Sequence, residues 1–366
     1  MKLAKLSLAA IMAVGALSTV NATPLEDAIK GVDLSGFTRY RYYNRDSVAH
    51  DLANDNERHR FSASATLTSP VAENLVASIT ADIDLNNLAA DGAEAGQDLR
   101  VQQLWFKYSN ENYSFKLGKQ ALNTPVTYNY FSVATGNGAR FMYTGVKNFT
   151  FAAAAFVDSD RNFALTAAQN AENLYAVAAI GSFGSVNAQL WAFKMTNIID
   201  DEEFLQVDGK VAGFSYKAQY VRANLDSAIS TETQSFYGVQ LGYKMDSFGI
   251  KGGYTGTSSK GGFVSLAGGD GSGFISGGIN SVYEISNQAD VSSLFVSVGA
   301  SFGKVSVGAG YVDDSYTAGG LNVDVSEAYA KVGYKYSKNF NTSVYYSSLG
   351  QDVDSNEFRF EAKYSF

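Results

Sequence analysis

Side chains that commonly carry out catalysis are scarce in this sequence. It contains no cysteine and two histidines, His50 and His59. Without cysteine there is no disulfide framework, thiol nucleophile or thiolate metal site, and a histidine-assisted serine nucleophile has few ways to be built. His59 lies between Arg58 and Arg60, which favours a rim side chain over a catalytic base, and no G-x-S-x-G motif occurs. We therefore expect no enzyme.

Charged side chains instead recur within segments that alternate between apolar and polar residues. Six of them fall on the polar faces of three segments near the start of the chain: Arg39, Arg41, Arg58, Arg60, Asp82 and Asp84. A turn at residues 69–70 would set Leu67 opposite Leu75. In that register Arg60 lies opposite Asp82, and Arg58 lies opposite Asp84. We expect all six to face the inside of a barrel, either as structural ion pairs or as a charged wall that selects ions.

The elements that position these charges read as β-strands, because the apolar residues recur with a period of two. About 18 strands are predicted, or 16 if the segments at 138 and 204 are not strands. The predicted strands cover residues 32–43, 58–68, 75–83, 104–108, 113–117, 138–144, 149–158, 173–183, 186–195, 204–211, 214–223, 234–245, 248–255, 291–302, 305–313, 325–336, 340–348 and 356–366. Tight turns alternate with longer polar loops, and aromatic residues cluster beside the turns. This pattern predicts an all-β, antiparallel transmembrane barrel with short periplasmic turns and long external loops.

Composition and the two chain ends agree with this prediction. The chain has 24 Phe, 23 Tyr and 35 Gly residues but 3 Pro, and Phe and Tyr favour strands. Basic residues followed by the apolar run 6–17 predict a signal peptide over residues 1–22, which leaves 23–366 as one barrel domain. The last strand ends with the aromatic face that includes Tyr364 and Phe366, which we interpret as an assembly signal. The net charge of −8 argues against nucleic-acid binding.

Two loops stand out. Residues 121–137 are predicted to fold inward and constrict the pore, with an ordinary surface loop as the alternative. The constriction residues are Leu122, Asn123, Thr124, Pro125, Thr127 and Tyr128. Residues 256–290 are predicted to form a long, flexible, glycine-rich external loop; a single copy of a calcium-binding β-roll repeat at residues 268–273 is the weaker interpretation.

Several blocks together resemble the major outer membrane porin of Campylobacter and its relatives. These blocks are residues 22–26, 36–42, 101–104, 118–120, 122–123, 157–159, 189–191 and 334–337. The resemblance spans the chain and implies an 18-stranded, homotrimeric general porin. It also implies a cation such as calcium near the constriction, although Tyr128 occupies a position where an acidic residue is expected. Asp158, also a predicted pore-lining residue, and Asp160 are then the candidate ligands.

We expect an outer-membrane channel of a Gram-negative bacterium that passes ions and small hydrophilic solutes without a required cofactor. The expected partners are identical subunits, outer-membrane lipids and lipopolysaccharide, the barrel assembly machinery and the solutes. The alternatives are a substrate-specific channel and a surface adhesin or structural barrel.

Overall fold

The chain forms a closed antiparallel barrel of 18 strands in the computed structural model. The structure describes residues 31–47, 56–88, 98–127, 135–159, 172–261, 273–280 and 288–366. Each strand pairs with its neighbour in sequence, and the first strand also pairs with the last. Closure leaves no unpaired edge, which is the condition for a sheet to stand in a bilayer.

The strand bounds follow the alternating segments of the sequence. They are β1 Asp33–Ser47, β2 Asn56–Ala72, β3 Leu75–Leu88, β4 Asp98–Ser109, β5 Tyr113–Ala121, β6 Thr135–Tyr143, β7 Phe149–Ser159, β8 Leu174–Phe183, β9 Val186–Met195, β10 Ile199–Val211, β11 Phe214–Leu225, β12 Gln234–Met245, β13 Phe248–Thr257, β14 Ala289–Phe302, β15 Val305–Ala318, β16 Leu321–Lys335, β17 Phe340–Gln351 and β18 Ser355–Ser365. The count of 18 is confirmed, and the segments at 138 and 204 are strands.

The two ends of the barrel differ in their connections. One end, here called the turn end, carries both chain termini of the barrel and tight turns such as 184–185, 212–213 and 303–304. The opposite, loop end was expected to carry only longer connections, but residues 196–198, 319–320 and 352–354 are also tight. At 319–320 both residues are glycines with positive φ, 59° and 81°, a conformation that suits a two-residue hairpin. The expectation was wrong there because strands β15 and β16 extend further than the alternation indicated.

The two faces of the sheet differ in composition. Large apolar side chains on the outer face are exposed, for example Phe61, Leu241 and Leu294. Aromatic residues beside the turn end point outward, as expected: Tyr108, Tyr113, Phe183, Phe214, Tyr243, Phe248 and Phe302. Such an outer apolar surface with aromatic rims is typical of barrels that face lipid.

The last strand closes the barrel in the predicted way. Tyr364 and Phe366 belong to the outer, aromatic face of β18 and its end, with ring centroids 6.1 Å apart. The backbone N–H of Phe366 donates to the oxygen of Gly36 at 3.0 Å, and the N–H of Gly36 donates to the oxygen of Phe366 at 2.9 Å. The terminal residue therefore contributes directly to the β1–β18 seam.

The register between β2 and β3 differs from the expected one. Leu67 lies opposite Ile79, not Leu75, because the strands continue past Pro70 to a turn at Glu73 and Asn74. Proline lacks an N–H group and is tolerated in a strand at a bulge, and the register shifts between Pro70 and Ala72. The shift is an even number of residues, so each side chain keeps its predicted face while its partner changes.

A search of the described residues finds no helix with the length and apolar character needed to cross a membrane.

Candidate functional site in the barrel interior

A charged wall lines the barrel interior where β18, β1, β2 and β3 lie side by side. Arg41 Nε donates to Glu361 Oε2 at 2.5 Å, and Arg45 Nε donates to Glu357 Oε2 at 2.9 Å. Both carboxylates come from β18 and both guanidinium groups from β1, so these pairs span the closing seam. Arg39, further toward the turn end, is buried with its guanidinium 5.6 Å from the Phe37 ring centroid.

Arg60 and Asp84 form the next ion pair along this wall. Arg60 Nε donates to Asp84 Oδ1 at 2.9 Å, and a second guanidinium nitrogen bonds the other carboxylate oxygen. The expected partner of Arg60 was Asp82, and that pairing is wrong because of the register at Pro70. Asp82 is 3% exposed and its backbone lies opposite Arg100 of β4. Arg58, expected opposite Asp84, lies opposite Leu88.

The facing wall, formed by β7 to β12, carries an apolar cluster on its inner side in the part nearer the loop end. A buried cluster occupies it together with side chains of two loops: Leu122, Val126, Phe156, Leu174, Ala176, Phe193, Met195, Ile198, Ile199, Phe204, Val221, Ala223, Leu225, Phe236 and Phe274. Inner-facing apolar side chains are unusual for a water-filled barrel, whose interior is polar. The segments 122–127 and 273–280 pack against these apolar side chains. The open part of the lumen therefore lies toward the charged wall.

The first of these segments, residues 122–127, follows β5 and packs into the apolar cluster; it is the part of the predicted constriction loop 121–137 that the structure describes after this strand. Leu122 is 3% exposed and Val126 is 0% exposed, both within the apolar cluster. The backbone N–H of Thr124 donates to Thr127 Oγ1 at 3.0 Å, and the Thr127 hydroxyl donates to the oxygen of Thr124 at 3.1 Å. These bonds make a tight turn whose apolar side chains hold it against the wall.

A second segment, residues 273–280, also folds into the barrel, although the sequence predicted only an external loop over 256–290. The Gln219 side chain accepts the N–H of Ile275 at 2.7 Å and donates to the oxygen of Gly273 at 2.5 Å. At the other end, Glu327 accepts the N–H groups of Ile279 and Asn280 at 2.8 and 3.1 Å. Since Gln219 lies on β11 and Glu327 on β16, the segment passes along the interior from one strand to the other.

The two inner segments touch each other. A Cβ atom at Gly273 would lie 2.6 Å from the backbone oxygen of Pro125, so a side chain there would force the segments apart. Gly277 has a similar role against β14, where a Cβ would lie 2.1 Å from Cβ of Phe295. The constriction is therefore built from both segments, and glycine permits their close approach.

Some predicted residues lie outside what the structure describes. This is the case for Tyr128, for Asp160 and for the side chain of Asp158, whose backbone lies opposite Asn137 in the β6–β7 pairing. Asn123 adopts a positive φ of 49° in the first inner segment. Among the described residues no group of three acidic or histidine side chains could hold a metal ion.

The sequence-based prediction missed Gln219 and Glu327. Both are inward-facing polar residues on strands, with 5% and 0% exposure, and strand alternation alone could have assigned their face. Their partners are backbone groups of a distant loop. No sequence pattern marks such a contact.

Comparisons with known proteins agree with this architecture. The model of the family described as Campylobacter major outer membrane protein matches residues 1–171 and 157–365. The outer membrane protein OpdK of Pseudomonas aeruginosa has a TM-score of 0.78 at 14% identity, covering 92% of this chain and 99% of that chain. OccAB1 of Acinetobacter baumannii has a TM-score of 0.76 at 14% identity, covering 92% and 96%. No curated protein matches the chain.

Proposed function

Because this chain belongs to the Campylobacter major outer membrane protein family, we propose that it is an outer-membrane porin, a water-filled channel for passive diffusion of ions and small hydrophilic solutes. The observation that carries the proposal is a closed 18-stranded barrel with a charged inner wall facing two inward-folded segments. A barrel filled only with its own apolar side chains would not conduct. Here the apolar interior is confined to one side.

The interior suggests how solutes are handled. The pairs Arg41–Glu361 and Arg60–Asp84 keep charged groups on the wall with their fields partly cancelled. A hydrated solute that passes between this wall and the inner segments meets fixed charged groups, whose fields are screened over about 10 Å at 0.1 M salt. The inner segments limit the size of the solutes that pass, whereas the charged wall sets the preference for the charge of the solute.

The decisive experiment is electrical recording from purified protein in planar lipid bilayers. Discrete, reproducible conductance steps in KCl are the expected result. Membranes that stay silent with heat-modifiable, folded protein would overturn the channel and favour the structural or adhesin alternative. Block by one class of solute would support a substrate-specific channel.

The N-terminal sequence supports removal of a signal peptide, and the resemblance to the Campylobacter porin supports a homotrimer. We infer that residues 1–22 are removed during export and that the channel is a homotrimer embedded among outer-membrane lipids and lipopolysaccharide, after insertion by the assembly machinery. Calcium binding needs about six to eight oxygen ligands, and the described residues supply no such group. Asp158 and Asp160 remain its candidate ligands.

A further inference from the structure

Three cationic side chains lie side by side on the inner wall near the turn end. Lys107 of β4 lies directly opposite Lys116 of β5, and Lys116 lies directly opposite Arg140 of β6. We call these three residues the basic row. They face inward because their neighbours Phe106, Phe115 and Phe141 are exposed on the outer face and successive side chains of a strand alternate.

Unlike Arg41, Arg45 and Arg60 of the charged wall, the basic row makes no ion pair with an acidic residue within the part of the chain that the structure describes. Arg41, Arg45 and Arg60 each bind a carboxylate. None of the salt bridges between described residues involves Lys107, Lys116 or Arg140. The ammonium group of Lys116 instead lies 3.7 Å from the ring centroid of Trp105, and the residue is 9% exposed.

Like charges directly opposite each other destabilise a sheet. A row of three such residues therefore carries a cost that an anion would relieve, since the charges would then be paired. Neighbouring strands lie about 4.8 Å apart, so the basic row can be bridged by a solute whose anionic groups are a few ångströms apart. A monovalent anion can engage only part of it.

From this arrangement we propose that the basic row is a binding site for small solutes carrying two or more carboxylate or phosphate groups. The site deepens the proposed porin function, on which it rests, by giving the channel a preferred class of solute. Lys116 and Arg140 supply the charge-assisted hydrogen bonds to the solute. Trp105 positions the Lys116 ammonium group through a cation–π contact. No covalent step is involved.

The test is block of single-channel KCl current by tricarballylate, with fructose 1,6-bisphosphate as the phosphate probe and acetate as the monovalent probe. Tricarballylate is expected to reduce the current of the native channel in a saturable way, whereas acetate at equal ionic strength is not. In the Lys116→Gln, Arg140→Gln double variant the apparent dissociation constant should rise by about tenfold or more. The control is Lys147→Gln, Lys338→Gln, which removes the same charge from exposed residues of the turn-end turns.

Each outcome is distinct. Absence of any conductance in native protein would overturn the porin proposal itself. A conducting native channel without saturable block, or block retained in the double variant, would overturn the site alone. Equal loss of block in the control would show a general charge effect, and equal block by acetate would remove the preference for multivalent anions; both would overturn the proposal. Block by fructose 1,6-bisphosphate but not by tricarballylate would assign the site to solutes with two phosphate groups.

Discussion

At the scale of single residues, the interior contains a poorly accommodated carboxylate, that of Glu202 on β10. Glu202 is 0% exposed, and among the residues that the structure describes neither of its carboxylate oxygens has a hydrogen-bond partner. Its cross-strand neighbours are Phe193 and Ala223, both members of the apolar cluster. A buried polar group without a partner destabilises the folded state by about 1–3 kcal/mol.

Replacing Glu202 by methionine, which has a similar volume, should therefore stabilise the barrel. We expect the free energy of unfolding to increase by about 1 kcal/mol or more. The measurement is urea-induced unfolding of detergent-solubilised protein, followed by tryptophan fluorescence.

Its neighbour provides the matched control for this substitution. Glu203 points outward and its carboxylate lies 3.5 Å from an Arg222 nitrogen in an exposed ion pair. Such pairs contribute about 0–1 kcal/mol, so Glu203→Met should change stability little. If Glu202→Met proves less stable than Glu203→Met, the Glu202 carboxylate has a favourable interaction and the interpretation is wrong.

For the charged residues, the sequence predicted the face of each side chain but not its partner. Alternation assigned an inward face to Arg39, Arg41 and Arg60, because it depends only on the two-residue period of a strand. It could not find the partner of Arg60, because the partner depends on where the β2–β3 turn falls. That position was set by a bulge at Pro70.

At the scale of elements, the inner segment 273–280 is held at both ends by single side chains. Gln219→Ala removes both of its bonds to the segment, and Glu327→Ala removes the acceptor of the N–H groups of Ile279 and Asn280. Three backbone N–H groups then lose partners; for the buried N–H of Ile275 this costs about 1–3 kcal/mol, and less for the part-buried N–H groups of Ile279 and Asn280. We expect the double variant to show higher mean conductance and greater current noise, because the segment leaves the lumen more often.

Gln240→Ala is the corresponding control. Like Gln219, Gln240 faces inward, but it lies on β12, and its side chain makes no hydrogen bond to the described segment 273–280. Its conductance should match that of the native channel. Unchanged conductance and noise in the Gln219, Glu327 double variant would show that the segment does not narrow the conducting path.

The other inner segment, residues 122–127, is held mainly by apolar contacts. Leu122 and Val126 are buried against the wall that includes Phe156. Replacing these six residues by a glycine and serine linker should remove that attachment and raise the single-channel conductance. Equal conductance in a folded, inserted variant would place this segment away from the conducting path.

The inward fold of residues 122–127 was expected, whereas that of residues 273–280 was not. The former carries apolar residues, Leu122 and Val126, that require burial. The latter is rich in glycine and gains its place through backbone hydrogen bonds to Gln219 and Glu327, which leave no mark in the local sequence.

At the scale of the whole molecule, the barrel depends on the β1–β18 seam. Phe366 exchanges two backbone hydrogen bonds with Gly36. Its ring also lies close to this glycine: a Cβ atom at residue 36 would be 3.0 Å from Cζ of Phe366. Deleting Phe366 should reduce the fraction of heat-modifiable, membrane-inserted protein, since the seam loses its last pair and the terminal aromatic group.

Phe366→Tyr serves as the control, because it keeps the backbone bonds and the ring. We expect it to insert at native levels. Native levels of inserted protein after deletion of Phe366 would show that neither closure nor recognition uses the terminal residue.

What the sequence by itself determined is the local pattern: the period-two strands, their approximate number, the aromatic residues beside the turns and the inward face that alternation assigns to the charged side chains. These follow from backbone geometry and from the cost of placing charge toward lipid, so each segment carries its own information. Only the tertiary structure decided the β2–β3 register, the apolar cluster on the inner wall, the second inner segment and the alignment of the basic row. These depend on contacts between residues far apart in the chain, and such contacts form only when the barrel closes.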